Sequence, residues 1–160
     1  MQRKENAAKV GIVYTAVAPE SAEAINAEIQ SRLGEKIEIL NYQDPTILDE
    51  VCEQGYVSAS AAARLVSMFM QAVSDGADGI LCCCSSVGEV ADASQGIAYY
   101  TGVPIVRIDE EMCREAVRLG DRIGILATLP STLEPTKNTV LRAARELNRQ
   151  VVLVDGLMEG

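Results

Sequence analysis

Short apolar runs alternate along this chain with longer stretches of helical spacing, the pattern of βαβ units on a parallel sheet. Residues 10–15 (VGIVYT) predict a first strand, 19–33 a helix and 37–41 a second strand. At Asp44-Pro45 the aspartate suits a helix N-cap and the proline the first helical position. From Ser58 onward, Ala62, Leu65, Val66, Phe69, Ala72 and Val73 recur at helical spacing. Gly76-Ala77-Asp78-Gly79 then turns the chain into a strand over 80–84. A helix over 88–100, a strand over 105–108, a helix over 110–118 and a strand over 122–127 follow. Leu133, Val140, Leu141, Ala144 and Leu147 line one face of the next helix, and 151–154 reads as a last strand. A break in composition near Gly120-Asp121 divides the chain into a first lobe, 1–119, and a partial second lobe, 120–160.

A parallel sheet fixes where function should lie. Right-handed crossovers bring every strand-to-helix loop to one edge, and ligands bind there. The loops at 14–19, 42–44, 84–88, 109 and 128–132 therefore hold the candidates.

Composition narrows the chemistry. At 160 residues, 48% apolar and 23% charged, the chain suits one soluble domain or two small lobes, with an aliphatic core because Trp is absent. A net charge of −9 argues against nucleic acid or an anionic membrane as partner. No segment approaches the roughly 18 continuous apolar residues of a membrane span, and the opening MQRKENAAKVGIVYT lacks a signal-peptide stretch. A cytoplasmic location is expected. The five cysteines are an odd number without a paired framework, so they read as reduced thiols. Histidine is absent, which excludes Ser-His and Cys-His nucleophile pairs and His-ligated metal within this chain. No phosphate-binding glycine motif follows a strand. The expectation is an enzyme with neither metal nor organic cofactor.

The strongest local signal is Leu81-Cys82-Cys83-Cys84-Ser85-Ser86-Val87-Gly88-Glu89. Cys84 falls at the carboxyl end of a predicted strand. Ser86 and Glu89 have capping-box spacing, which predicts a helix starting at Ser86. A thiol two residues before a helix N-terminus faces the positive end of its dipole, which favours thiolate, and the same amides could seat a carboxylate. Cys82 and Cys83 read as core residues of the strand, and Cys52 and Cys113 as core filler on helices. Ala127-Thr128-Leu129-Pro130-Ser131-Thr132-Leu133-Glu134 repeats the arrangement after a later strand. Its hydroxyls suit a carboxylate, and a plain helix cap explains Ser131 equally well. Thr15, after the first strand, is a weaker candidate of the same kind.

At Cys84-Ser85-Ser86 the chain resembles the aspartate/glutamate/hydantoin racemase superfamily. The likeness runs from Tyr42-Gln43-Asp44 through GADGILCCCSSVGEVADA to VPIVRIDEEM and RIGILATLPSTLEPT. It implies a doubly wound α/β fold of two similar lobes, the second incomplete here, with the site in the cleft between them. It implies cofactor-independent catalysis in which one thiolate removes a proton from carbon and a second thiol delivers one to the opposite face. By position, Cys84 matches the first-lobe catalytic cysteine, and Ser85 and Ser86 match residues that hold the substrate carboxylate. Thr128, Ser131 and Thr132 match the hydroxyl-bearing loop of the second lobe, and Thr15 the polar residue after strand one. Members of the family are longer, with the second catalytic residue in the added portion; Cys113 does not match it. The family also includes one-cysteine decarboxylases and cis–trans isomerases, and a non-catalytic small-acid binding module is a further reading. The implied partners are a small carboxylate or amino-acid substrate and a second copy of the chain in a homo-oligomer, expected as a dimer because a partial lobe exposes apolar surface.

Overall fold

The computed structural model describes residues 7–34 and 36–158. Four strands form the first sheet: β1 (Lys9–Tyr14), β2 (Glu38–Gln43), β3 (Gly79–Cys82) and β4 (Ile105–Arg107). All pair in parallel, in the order β2-β1-β3-β4. The order reverses between β1 and β3, so the crevice at their carboxyl ends is the place an α/β sheet offers a ligand. The α/β class expected from the alternating pattern is the one observed.

Local signals set the helices. Helix α1 (Pro19–Leu33) begins at its proline. In α2 (Pro45–Gln54), Asp44 accepts a hydrogen bond from the Thr46 amide at 3.0 Å, and Gly55 ends the helix at φ 78°, a left-handed cap open to glycine. Helix α3 (Ala59–Ser74) is capped by Ser58, which accepts from the Ala61 amide at 3.0 Å. Its inner stripe is Ala61, Leu65, Phe69 and Ala72, one residue out of phase at its start with the expected Ala62. This stripe packs on Val13, Ile80, Cys82 and Ile105 of the sheet, with Ile47 and Val51 of α2. The approach is close: a β-carbon on Gly11 would lie 2.9 Å from that of Ala72.

Three features of the next segment differ from the sequence expectation. Strand β3 stops at Cys82 rather than at 84. A 3-10 turn, Ser85–Val87, follows before α4 (Gly88–Ala93) begins, so no helix starts at Ser86. The single helix expected over 88–100 is two, α4 and α5 (Gln95–Thr101). The break is at Ser94, whose hydroxyl donates to the Val90 carbonyl at 2.7 Å. A serine that bonds back to the preceding turn bends a helix.

Helix α6 (Glu110–Leu119) leads to a second, two-stranded parallel sheet of β5 (Arg122–Ala127) and β6 (Val152–Leu157), bridged by α7 (Pro130–Glu146). Cys113 and Val117 of α6, Ile123 and Ile125 of β5, and Val140, Ala143 and Ala144 of α7 form a second core. Leu141, expected on the inner face of α7, is 37% exposed. Thr139 and Ala143 are buried there instead. Cys52, expected as core filler, is exposed on α2, because the buried positions of that helix are Ile47 and Val51.

Candidate active site at the sheet edge

Val13 and Cys82 are partners in the β1–β3 register, and the Cys83 amide donates to the Val13 carbonyl at 2.9 Å. Two residues further on each strand, that register leads to Thr15 and Cys84, one on each side of the switch point. Thr15 is buried, and its hydroxyl has no hydrogen-bond partner among the described residues. Cys84 is half-buried in extended backbone, at φ −137° and ψ 113°.

Of the three adjacent cysteines, Cys82 is buried and Cys83 and Cys84 are half-buried, so Cys83, expected as a core residue of the strand, lies just beyond the end of β3 instead. Cys82 lies in the core, and burial pushes its thiol up to about 12. Burial does the same to Cys83, whose thiol is also raised to about 12. Neither supplies a thiolate near neutral pH. Cys113 sits in the second core, its thiol raised to about 11 by burial and then by the Asp109 charge.

The expected Ser86–Glu89 capping box is not formed. Among the described residues no side chain caps the 3-10 turn or α4. Ser86 turns instead toward α7: its Oγ lies 3.2 Å from Ser131 Oγ and 3.1 Å from Thr132 Oγ1. Ser131 is not a cap either, since α7 has none. Glu89 accepts a hydrogen bond from Asn138 Nδ2 at 2.7 Å. Three expected residues, one in the 3-10 turn and two in the first turn of α7, thus share one hydroxyl cluster. A cavity of about 380 Å³ opens beside it, lined by Ser86, Ser131, Tyr56, Val57, Glu89 and Glu134. Ser85 is half-buried and Thr128 is exposed, and neither joins the cluster. With α4 only six residues long and starting four positions after Cys84, the helix-dipole argument for the thiol loses most of its force.

A second group lies beneath the turn. Arg107 is buried; its Nε and Nη2 donate to Asp109 at 2.9 and 2.8 Å, and its Nη1 to Asp92 at 2.8 Å. Burial opposes this charge, but the bonds and charges of Asp109 and Asp92 outweigh it and hold the guanidinium more firmly protonated than usual. The group rests against Gly88 so closely that a β-carbon there would overlap it. Asp92 also takes an ion pair from Arg142 of α7 at 2.7 Å. The only sequence sign of this group is spacing: Glu89 and Asp92 three apart, Asn138 and Arg142 four apart, each pair on one helical face.

Fold and site together define an α/β protein with a thiol and a hydroxyl loop at the carboxyl edge of a parallel sheet. The chain belongs to the Asp/Glu/Hydantoin racemase family, whose family model matches residues 14–158. No curated protein matches it. Among solved structures it is similar to a leucine-, isoleucine-, valine-, threonine- and alanine-binding protein from Brucella ovis, at 18% identity and a TM-score of 0.39, covering 95% of this chain and 47% of that one. It is also similar to an ABC transporter periplasmic solute binding protein from Actinobacillus succinogenes with bound D-allose, at 15% identity and a TM-score of 0.42, covering 92% and 59%. The chain spans about half the length of these solved structures.

Proposed function

We propose that this chain carries the thiol half of a cofactor-independent amino-acid racemase or isomerase, with Cys84 as the base that takes a proton from carbon. The observation that carries this reading is the meeting of Ser86 with Ser131 and Thr132, beside the loop that presents Cys84. Hydroxyls from two segments at one point suit a substrate carboxylate, and their fixed donors would stabilise charge that develops on it during proton removal. Thr15, with its buried unpartnered hydroxyl, belongs to the same proposal, as do Ser85 and Thr128 on the adjoining loops. Glu89 and Glu134 at the cavity suit the ammonium group of an amino acid.

The working arrangement we propose is two lobes, 1–119 and 120–160, closing on a small carboxylate substrate. The two separate sheets support it, with α6 reaching across to the second core. A cytoplasmic setting agrees with five unpaired cysteines, and no helix among the described residues is long and apolar enough to cross a membrane.

A second reading has its own support. Cys113 is buried in the second core, so Cys84 is the thiol that stands at the sheet edge among the described residues. One thiol at such a site also suits decarboxylation or cis–trans isomerisation, which need no second acid on the opposite face.

The test is exchange of the α-proton in D2O, followed by NMR with L- and D-aspartate, glutamate and hydantoins. Exchange with one of these, abolished in Cys84→Ser and kept in Cys83→Ser, is the expected result. Exchange that survives Cys84→Ser would remove the thiol from the mechanism. No exchange with any of them would favour the second reading or a small-acid binding module.

A further inference from the structure

The segment 86–92 and helix α7 meet along a seam made of three polar pairs. Ser86 meets Ser131 and Thr132, Glu89 meets Asn138, and Asp92 meets Arg142. Ser86, Glu89 and Asp92 lie three residues apart, and Ser131, Asn138 and Arg142 lie seven and four apart on one face of α7, so the contacts form one row. Polar pairs of this kind hold alignment through directed contacts. The last pair is the one tied into the core: Asp92 is shared between Arg142 and the buried Arg107, and Arg107 fills the space beneath Gly88. Arg107 is further held by Asp109 at two points, a rigid bidentate geometry.

We propose that Arg142, through Asp92 and Arg107, is a positioning residue that sets the hydroxyls of Ser131 and Thr132 in register with the Cys84 turn. The proposal rests on the reading of those hydroxyls as a carboxylate seat. Its logic is leverage: Arg142 sits on the same α7 face as Ser131, Asn138 and their neighbours, and it fixes the far end of a 17-residue helix against the element that follows the thiol. Releasing Asp92 leaves the Glu89–Asn138 bond and two hydroxyl contacts, Ser86 with Ser131 and Ser86 with Thr132, to hold the seam, and neutral hydroxyl contacts are weak restraints.

The experiment compares two alkylating agents at one thiol. Iodoacetate carries a carboxylate and iodoacetamide does not, and both form the same C–S bond with loss of iodide. Alkylation at each cysteine is quantified by peptide mass spectrometry, with exposed Cys52 as the reference thiol in the same sample. In the unaltered chain the iodoacetate-to-iodoacetamide ratio at Cys84 should exceed that at Cys52. Arg142→Gln and Arg142→Met should lower the Cys84 ratio about tenfold, the scale of losing one hydrogen bond to a charged group. Arg142→Lys, which keeps a charge for Asp92, should recover part of it. Arg114→Gln, which removes pairs with Glu110, Glu111 and Glu146 but none with Asp92, should leave it unchanged. An unchanged ratio in Arg142→Gln would overturn the proposal while the carboxylate seat stands. A faster iodoacetamide reaction at both Cys83 and Cys84 in that variant would mean general loosening and would overturn it too. A Cys84 ratio no higher than that of Cys52 in the unaltered chain would sink the seat itself, and the positioning role with it.

Discussion

The guanidinium of Arg107 occupies the place where a side chain on residue 88 would begin, so Gly88 and Arg107 are matched by volume. Gly88 opens α4 directly after the turn that follows Cys84, and Arg107 ends β4. The turn therefore rests on a buried cation rather than on a helix cap. That cation is held in place by Asp109 and Asp92.

Gly88→Ala is expected to be severe for a one-carbon change. The added methyl must push the guanidinium off its carboxylates or lift the turn. Overpacking alone costs about 1–3 kcal/mol, and disturbing a buried ion pair adds to it. Chemical denaturation should show a loss of about 2–4 kcal/mol. A variant within about 0.5 kcal/mol of the parent would show that the pocket around Arg107 yields freely.

Alkaline pH should destabilise the fold. Cys82, Cys83 and Cys113 have folded thiols raised to about 12, 12 and 11 by burial, whereas unfolded thiols ionise near about 8.5. Between those values the unfolded chain binds fewer protons, so stability falls as pH rises. The contribution is complete below about pH 8 and is lost through pH 11–12. Denaturation midpoints between about pH 8 and 10.5 should drop for the parent and drop less for Cys113→Ala. Parallel curves would remove Cys113 from the explanation.

Asp44 should matter at the acid end. The Thr46 hydroxyl, against the opposing effect of burial, and then the Thr46 amide and Arg64 hold its carboxyl below the usual range. A lowered folded value adds stability above the ordinary aspartate pKa, near about 3.9, and loses it as pH falls through the folded value. Asp44→Ala should cost about 1 kcal/mol at neutral pH, as expected of an N-cap, and almost nothing once the parent aspartate is protonated. An equal cost at both extremes would assign the loss to packing.

Self-association is expected through the second sheet. Among the described residues β5 pairs with β6 alone, and Leu126 is 75% exposed, with Val152 at 64% and Met158 at 58%. An open edge beside an apolar row invites pairing with another copy. Light scattering should give about twice the monomer mass, and Leu126→Glu should return the chain to a monomer. A monomeric parent would count against this surface.

The alternation of apolar runs placed the six strands close to their observed positions, because buried parallel strands are written as short continuous apolar segments. Helix starts at Pro19 and Pro45 and the cap Asp44 were equally legible, since a cap is a contact over two or three residues. The candidate hydroxyls were visible one loop at a time. That Ser86 would meet Ser131 and Thr132 rather than cap its own helix was not, because both serines have the same local capping pattern and only the approach of α7 decides between the two partners.

The sequence by itself determined the periodicity and the parallel class, both of which depend on near neighbours along the chain. Tertiary structure alone decided that Cys82 is buried while Cys83 and Cys84 stay half-buried, and that Arg107 lies under Gly88 at the start of α4. It also decided that Asp92 serves two arginines, one at the end of β4 and one on α7. These depend on residues up to 50 positions apart, from Asp92 to Arg142. Burial, volume and charge at such distances are set only when the sheets and helices close on one another.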